Sequence, residues 1–97
     1  MAEITNRSKE RAHIFPEGET FGPGNRFEPG ENRPVKVKVP SNNKITKITF
    51  HAGRNGQIIA TKSWEYDPAH PNRIPVVTFD ENKPKGYDKL TISTGLR

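Results

Sequence analysis

Ile45-Thr46-Lys47-Ile48-Thr49-Phe50, then Asn55-Gly56, then Gln57-Ile58-Ile59-Ala60-Thr61-Lys62-Ser63-Trp64: this stretch decides the fold. The first run is rich in β-branched and aromatic residues and continues through His51 and Ala52 to Arg54. Such residues fit a pleated, half-buried surface. Asn55-Gly56 supplies the two positive-φ residues that a tight type I′ turn requires. The chain then returns with a second strand-like run, so the stretch predicts an antiparallel hairpin. Gly53 is placed to introduce a bulge and alter its register.

Upstream, Val35-Lys36-Val37-Lys38-Val39 alternates strictly, with three valines on one face and two lysines on the other. Pro34 and Pro40 fence it, and the prolines and outward lysines predict a protected edge strand. Downstream, Asp67-Pro68-Ala69-His70-Pro71-Asn72 has the composition of a loop. Ile74-Pro75-Val76-Val77-Thr78-Phe79 reads as a strand with its proline early, Asp80 to Gly86 as a turn, and Tyr87 to Ser93 as a last strand. There Leu90 and Ile92 share one face. About five strands over residues 35–93 predict an all-β fold, a small antiparallel β-sandwich (immunoglobulin-like) or an open barrel. Fifteen large apolar residues from Val35 to Ile92 are the expected core, among them Val39, Ile45, Ile58 and Ile59. The nine prolines and eight glycines among 97 residues argue against helices. The sole candidate is a short one over residues 5–12, capped by Thr5 or Asn6 and lacking an apolar stripe.

Residues 1–34 have a different texture. Ile14-Phe15, Phe21 and Phe27 stand as apolar islands among Pro16, Gly18, Gly22-Pro23-Gly24 and Pro29-Gly30. Two short strands are expected, near Ala2–Thr5 and Arg11–Phe15. The preferred reading is a Pro/Gly-rich N-terminal arm (1–34) on an antiparallel β domain (35–97), with Phe15, Phe21 and Phe27 docking on a partner. The alternative is a loop-rich segment that packs on its own domain.

Charge follows the same division. Residues 1–34 carry five basic and six acidic side chains; residues 35–97 carry eleven and five, within an overall charge of +5. A basic body suits an acidic protein surface or a phosphate backbone, and also simple solubility. There is no cysteine, which removes disulfides, thiolate metal sites and thiol catalysis. The opening Met1-Ala2-Glu3-Ile4 has no basic region followed by an apolar stretch, so no signal peptide is expected. No apolar run is long enough for a membrane span.

Motifs for chemistry are sparse. His13, His51 and His70 lack metal-ligand spacing. Asp67, Asp80, Glu81 and Asp88 belong to predicted loops or their flanks without the ordered spacing of a calcium loop. No G-x-S-x-G or phosphate-binding glycine loop occurs, and proline in Gly22-Pro23-Gly24 removes an amide that a phosphate nest would use. The expectation is a protein without enzymatic activity, metal or cofactor. Trp64 and Tyr66 share one face and, if exposed together, would stack on a sugar or base; the favoured reading makes Trp64 a core residue. Lys36, Lys38 and Lys47 could line a basic sheet face, the basis of a less favoured nucleic-acid-binding barrel. Asn6-Arg7-Ser8 also fits a glycosylation acceptor.

Ile4-Thr5-Asn6-Arg7-Ser8-Lys9, and then Phe27-Glu28-Pro29-Gly30-Glu31 leading into Val35, resembles small structural proteins of tailed-phage virions. In those, an I-x-N-x-S opening is followed by a Pro-Gly turn that launches a strand. The resemblance implies a head-decoration, neck or tail component, made in the host cytoplasm and assembled into the virion. Such a protein binds neighbouring subunits and forms homo-oligomers. The resemblance carries over no functional residue; the arm and the edge strand themselves make Phe15, Phe21, Phe27, Lys36 and Lys38 the expected partner-binding residues, and an immunoglobulin-like or carbohydrate-binding module using Trp64 and Tyr66 is the alternative.

Overall fold

The computed structural model describes residues 1–82 and 87–96. Eight strands run in chain order: β1 (Ala2–Asn6), β2 (Ala12–Pro16), β3 (Arg26–Phe27), β4 (Asn32–Val35), β5 (Thr46–Arg54), β6 (Gln57–Tyr66), β7 (Arg73–Asn82) and β8 (Tyr87–Leu96). They form two four-stranded sheets, one ordered β4-β1-β7-β8 and the other β3-β2-β5-β6. The fold is all-β, an open sandwich and not a closed barrel. The only helical turn among the described residues is a 3₁₀ turn at Pro23–Asn25, so the helix considered over residues 5–12 does not form.

The central hairpin forms as its sequence predicts. Arg54 pairs with Gln57 across a turn in which Asn55 has φ 53° and Gly56 φ 77°, the conformation of a type I′ turn. The register shifts where Gly53 sits: Ala52 faces Ala60, but Gly53 faces Ile58, leaving Ile59 as the extra residue of a bulge. Gly53 is needed for space. A β-carbon there would run into the Gln57 carbonyl oxygen and stand 2.8 Å from the Phe21 ring.

Alternation sets the two faces. Ile48, Phe50 and Ala52 of β5 point to the interior with Trp64 of β6, while Thr49 and His51 face outward against Ser63 and Thr61. Val77 and Phe79 of β7 and Leu90 of β8 close the core from the other sheet. Pro75 lies one residue before the first β7 position that pairs with β1, where a missing N–H is tolerated. The turn expected over Asp80–Gly86 lies largely outside the described residues; β7 itself extends to Asn82.

Residues 1–34 are not an arm. They provide β1, β2, β3 and most of β4, and the proposed boundary at 34/35 cuts through β4. β1 is an interior strand of its sheet, antiparallel to β4 and parallel to β7, with Glu3 opposite Val76 and Asn6 opposite Phe79. The two short strands expected there do form. Ile4, Ile14 and Phe27 are fully buried. A radius of gyration of 13.2 Å is that of a compact chain of this length, with no room for a detached segment. Conversely, Val39, Ile45, Ile58 and Ile59, expected in the core, are exposed. The core is completed by the N-terminal third instead.

The Val35–Val39 run departs from expectation in a different way. It does lie at a sheet edge, yet the strand is Asn32–Val35 and its ladder ends where Val35 meets Ala2. Residues 36–39 carry on with Lys36 and Lys38 exposed and Val37 half-buried, but without a pairing strand.

Candidate functional site

The phenylalanines expected to anchor a partner are divided by the fold. Phe27, at 0% exposure, is a core residue, with the Arg33 guanidinium 4.2 Å above its ring. Phe15 lies on the outer face of its sheet yet is only 2% exposed. The loop after β2 folds Phe21 over it, ring centroids 5.1 Å apart, and His51 flanks it at 5.7 Å. Asn25 holds that loop in place by donating from Nδ2 to the Thr20 carbonyl at 2.8 Å. Phe15 and Phe27 are therefore anchors of the chain on itself, and only Phe21 keeps part of its ring in solvent. An isolated aromatic between turns has the same sequence signature in either case.

Trp64 and Tyr66 do not make an open stacking platform. Trp64 is 8% exposed, packs in the core, and donates from Nε1 to Thr94 Oγ1 at 3.2 Å, joining the edge strands β6 and β8 of opposite sheets. Tyr66 packs half-buried beside it, ring centroids 6.3 Å apart. No group of three histidine, aspartate or glutamate side chains comes together to hold a metal ion among the described residues. His13 faces Phe21 at 5.5 Å, and burial, followed by the charges of Arg26 and Arg11, holds its pKa below the ordinary histidine value.

The residues of the I-x-N-x-S opening prove to be structural. Asn6 is buried; its Nδ2 donates to the carbonyls of Phe27 and Glu10, both at 3.0 Å. Its Oδ1 accepts from Ser8 N at 3.0 Å and from Ser8 Oγ at 2.6 Å. Arg54 reaches across from β5 to donate to Ser8 Oγ at 2.7 Å and to the Arg11 carbonyl at 3.0 Å. This knot closes one end of the sandwich, and an Asn6 buried and bonded in this way is no acceptor for a glycan.

The opposite end is open. Where β4 loses its partner, a groove runs between the 36–39 segment and the start of β7. Its wide part, about 710 Å³, lies between Lys36, Val37 and Lys38 on one lip and Glu17 and Glu19 on the other. A narrower part of about 200 Å³ continues past Val37 and Val39 toward Tyr66, Ile74 and Pro75, with Met1 also in its lining, and Arg73 carries its sole charged side chain among the described residues. Ile48 lines both parts and Trp64 the narrow one. Lys36 and Lys38, selected from sequence, thus sit on this lip; the roles of Arg73 and Ile74 were not legible, because only the third dimension brings β7 alongside residues 36–39.

Comparison with known proteins adds no relative: no protein-family model matches the chain, and neither a curated protein nor a solved structure does. No helix among the described residues is long and apolar enough to cross a membrane.

Proposed function

We propose that this chain is a non-enzymatic structural module that binds neighbouring protein subunits of a larger assembly, the tailed-phage virion being the setting its opening residues suggest. One observation carries the reading. An extended, strand-forming segment at a sheet edge, residues 36–39, stands beside an apolar groove and has no ladder partner of its own. Exposed sheet edges are templates for pairing with another chain, and stable monomers blunt them. Here Pro34, Pro40 and the outward lysines flank the edge, and the main-chain groups of residues 36–39 remain unpaired among the described residues. Partner binding therefore centres on Lys36 and Lys38, not on the phenylalanines.

The test is amine-directed crosslinking with mass spectrometry on intact particles from the source of this chain. The expected result is that the chain sediments with the particles and that Lys36 or Lys38 links to a neighbouring subunit. Recovery of the chain only in the soluble fraction, with links confined to its own residues, contradicts the reading.

A further inference from the structure

Residues 36–39 continue the line of β4 with the composition of a strand and without its bonding. Val37 packs against the core while Lys36 and Lys38 turn outward, as in a paired strand. Among the described residues, however, no backbone hydrogen bond is made by residues 36–41. Main-chain groups held extended and left to water form an acceptor for an added strand, with adjacent pockets reading alternate side chains. The groove supplies those pockets: Val37, Val39, Ile74 and Pro75 wall its narrow part over a floor that includes Ile48 and Trp64.

The edge strand β6 of the other sheet is guarded. β6 is interrupted by the bulge at Ile59, and it carries Lys62 directly opposite Phe50, a charge on the core-facing side of an edge strand. Both features discourage a further strand. Residues 36–39 carry neither; the outward Lys36 and Lys38 and the flanking Pro34 and Pro40 guard them instead, while their main-chain groups stay unpaired among the described residues.

Charge selects the occupant. Lys36 and Lys38 stand on one lip, with Glu17 and Glu19 across the wide part, and Arg73 is the one charged side chain of the narrow part; none of the three cations forms an ion pair among the described residues. A second copy of this chain would bring the same lysines to the same place, within a net charge of +5. A nucleic acid would find no exposed ring to stack a base on, because Trp64 is buried.

We infer that residues 36–39 and the groove beside them accept an extended acidic segment of a partner protein, alternating apolar and acidic side chains. The apolar ones enter the groove and the acidic ones meet Lys36, Lys38 and Arg73. This inference rests on the reading of the chain as an assembly module and names the chemistry of its partner.

The experiment is an NMR titration of the full chain with a short synthetic peptide alternating valine and glutamate. Saturable shifts confined to the amides of residues 36–39 and 73–74 are expected, together with slowed hydrogen exchange at 36–39. K36E/K38E changes only exposed side chains and should weaken binding about tenfold, with added salt weakening the wild type in the same sense. Val39→Ser, at a half-exposed site, should weaken binding without altering the fold. No saturable shift at residues 36–39, or equal shifts with a valine–lysine peptide, would overturn the inference. So would equal shifts with a single-stranded DNA oligonucleotide, or protection of these amides in a dimer of the free protein. If the peptide fails while Lys36 or Lys38 still links to a neighbouring subunit in particles, the inference fails and the assembly reading stands. If the peptide binds and no such link forms, the groove takes acidic segments as inferred and the assembly reading fails.

Discussion

Ala2 stands opposite Val35 in antiparallel register, and Val35 is the last residue of β4 to find a partner. On one side of this pair lies a sheet interior in which β1 is gripped by β4 and by β7. On the other lies a valine–lysine run that keeps a strand's alternation and has no ladder. An N-terminal segment built into the body and an edge left open meet at this pair.

β1 should behave as part of the core. Ile4 is fully buried between strands from distant parts of the chain. Ile4→Ala should cost about 2–5 kcal/mol in urea unfolding, the range for large-to-small core changes. Deletion of residues 1–6 should abolish the cooperative transition and the amide dispersion of a folded β protein. A detachable arm would leave both intact.

Asn6 should be as sensitive for a different reason. Asn6→Ala removes two donors that satisfy the Phe27 and Glu10 carbonyls and the acceptor that fixes Ser8. Leaving buried polar groups without partners costs about 1–3 kcal/mol each, so a loss at least as large as one such group is expected in chemical denaturation. Arg54→Lys, which cannot reproduce the fork to Ser8 and Arg11, should lose less and should shift the Ser8 and Arg11 amide resonances.

Gly53 tests the bulge. Gly53→Ala places a methyl group against the Gln57 carbonyl and the Phe21 ring, so the bulge or the loop carrying Phe21 must move. A destabilisation of about 1–3 kcal/mol is expected, as for other overpacked sites. Near-wild-type stability with unchanged Phe21 resonances would contradict the described packing.

His13 gives the protein a pH response of defined sign. Its folded pKa lies below 6.5 because of burial and then the charges of Arg26 and Arg11. Below that value the unfolded chain takes a proton that the folded chain resists, so this contribution to stability is present above pH 6.5 and is lost as the pH falls. Thermal unfolding at about pH 7.5 and 5.5 should show a lower Tm at the acid end, and His13→Gln should reduce the difference. An unchanged difference in the variant would assign the pH response elsewhere.

The β5–β6 hairpin was legible because its signals are local: Asn55-Gly56 specifies the turn, and alternation specifies the faces. β7 and β8 were legible for the same reason, through Val77, Phe79, Leu90 and Ile92. The parallel pairing of β1 with β7 was not, since nothing in Ala2–Asn6 points to a strand some seventy residues away. Ala2, Asn6 and Ala12 hold core positions with small or polar side chains, which mutes the hydrophobic pattern. Val35–Val39 fails in the opposite sense. Its alternation is complete, yet strand formation depends on a neighbour as much as on propensity, and the neighbour is missing after Val35. Of the candidate site, the exposed lysines could be selected from sequence. Phe15 and Phe27 could not be sorted into internal and external anchors, because that depends on the loop that carries Phe21 and on the strand that carries Arg33.

Residues 36–39 should be an open edge in the free protein and a paired strand in the assembly. Hydrogen exchange at the amides of Lys36, Val37, Lys38 and Val39, read in the free protein and in isolated particles, distinguishes the two states. Fast exchange at all four is expected in the free protein and protection in the particle, while β1 amides stay protected in both. Slow exchange at these positions in the free chain, or unchanged fast exchange in the particle, would contradict an edge that opens to a partner.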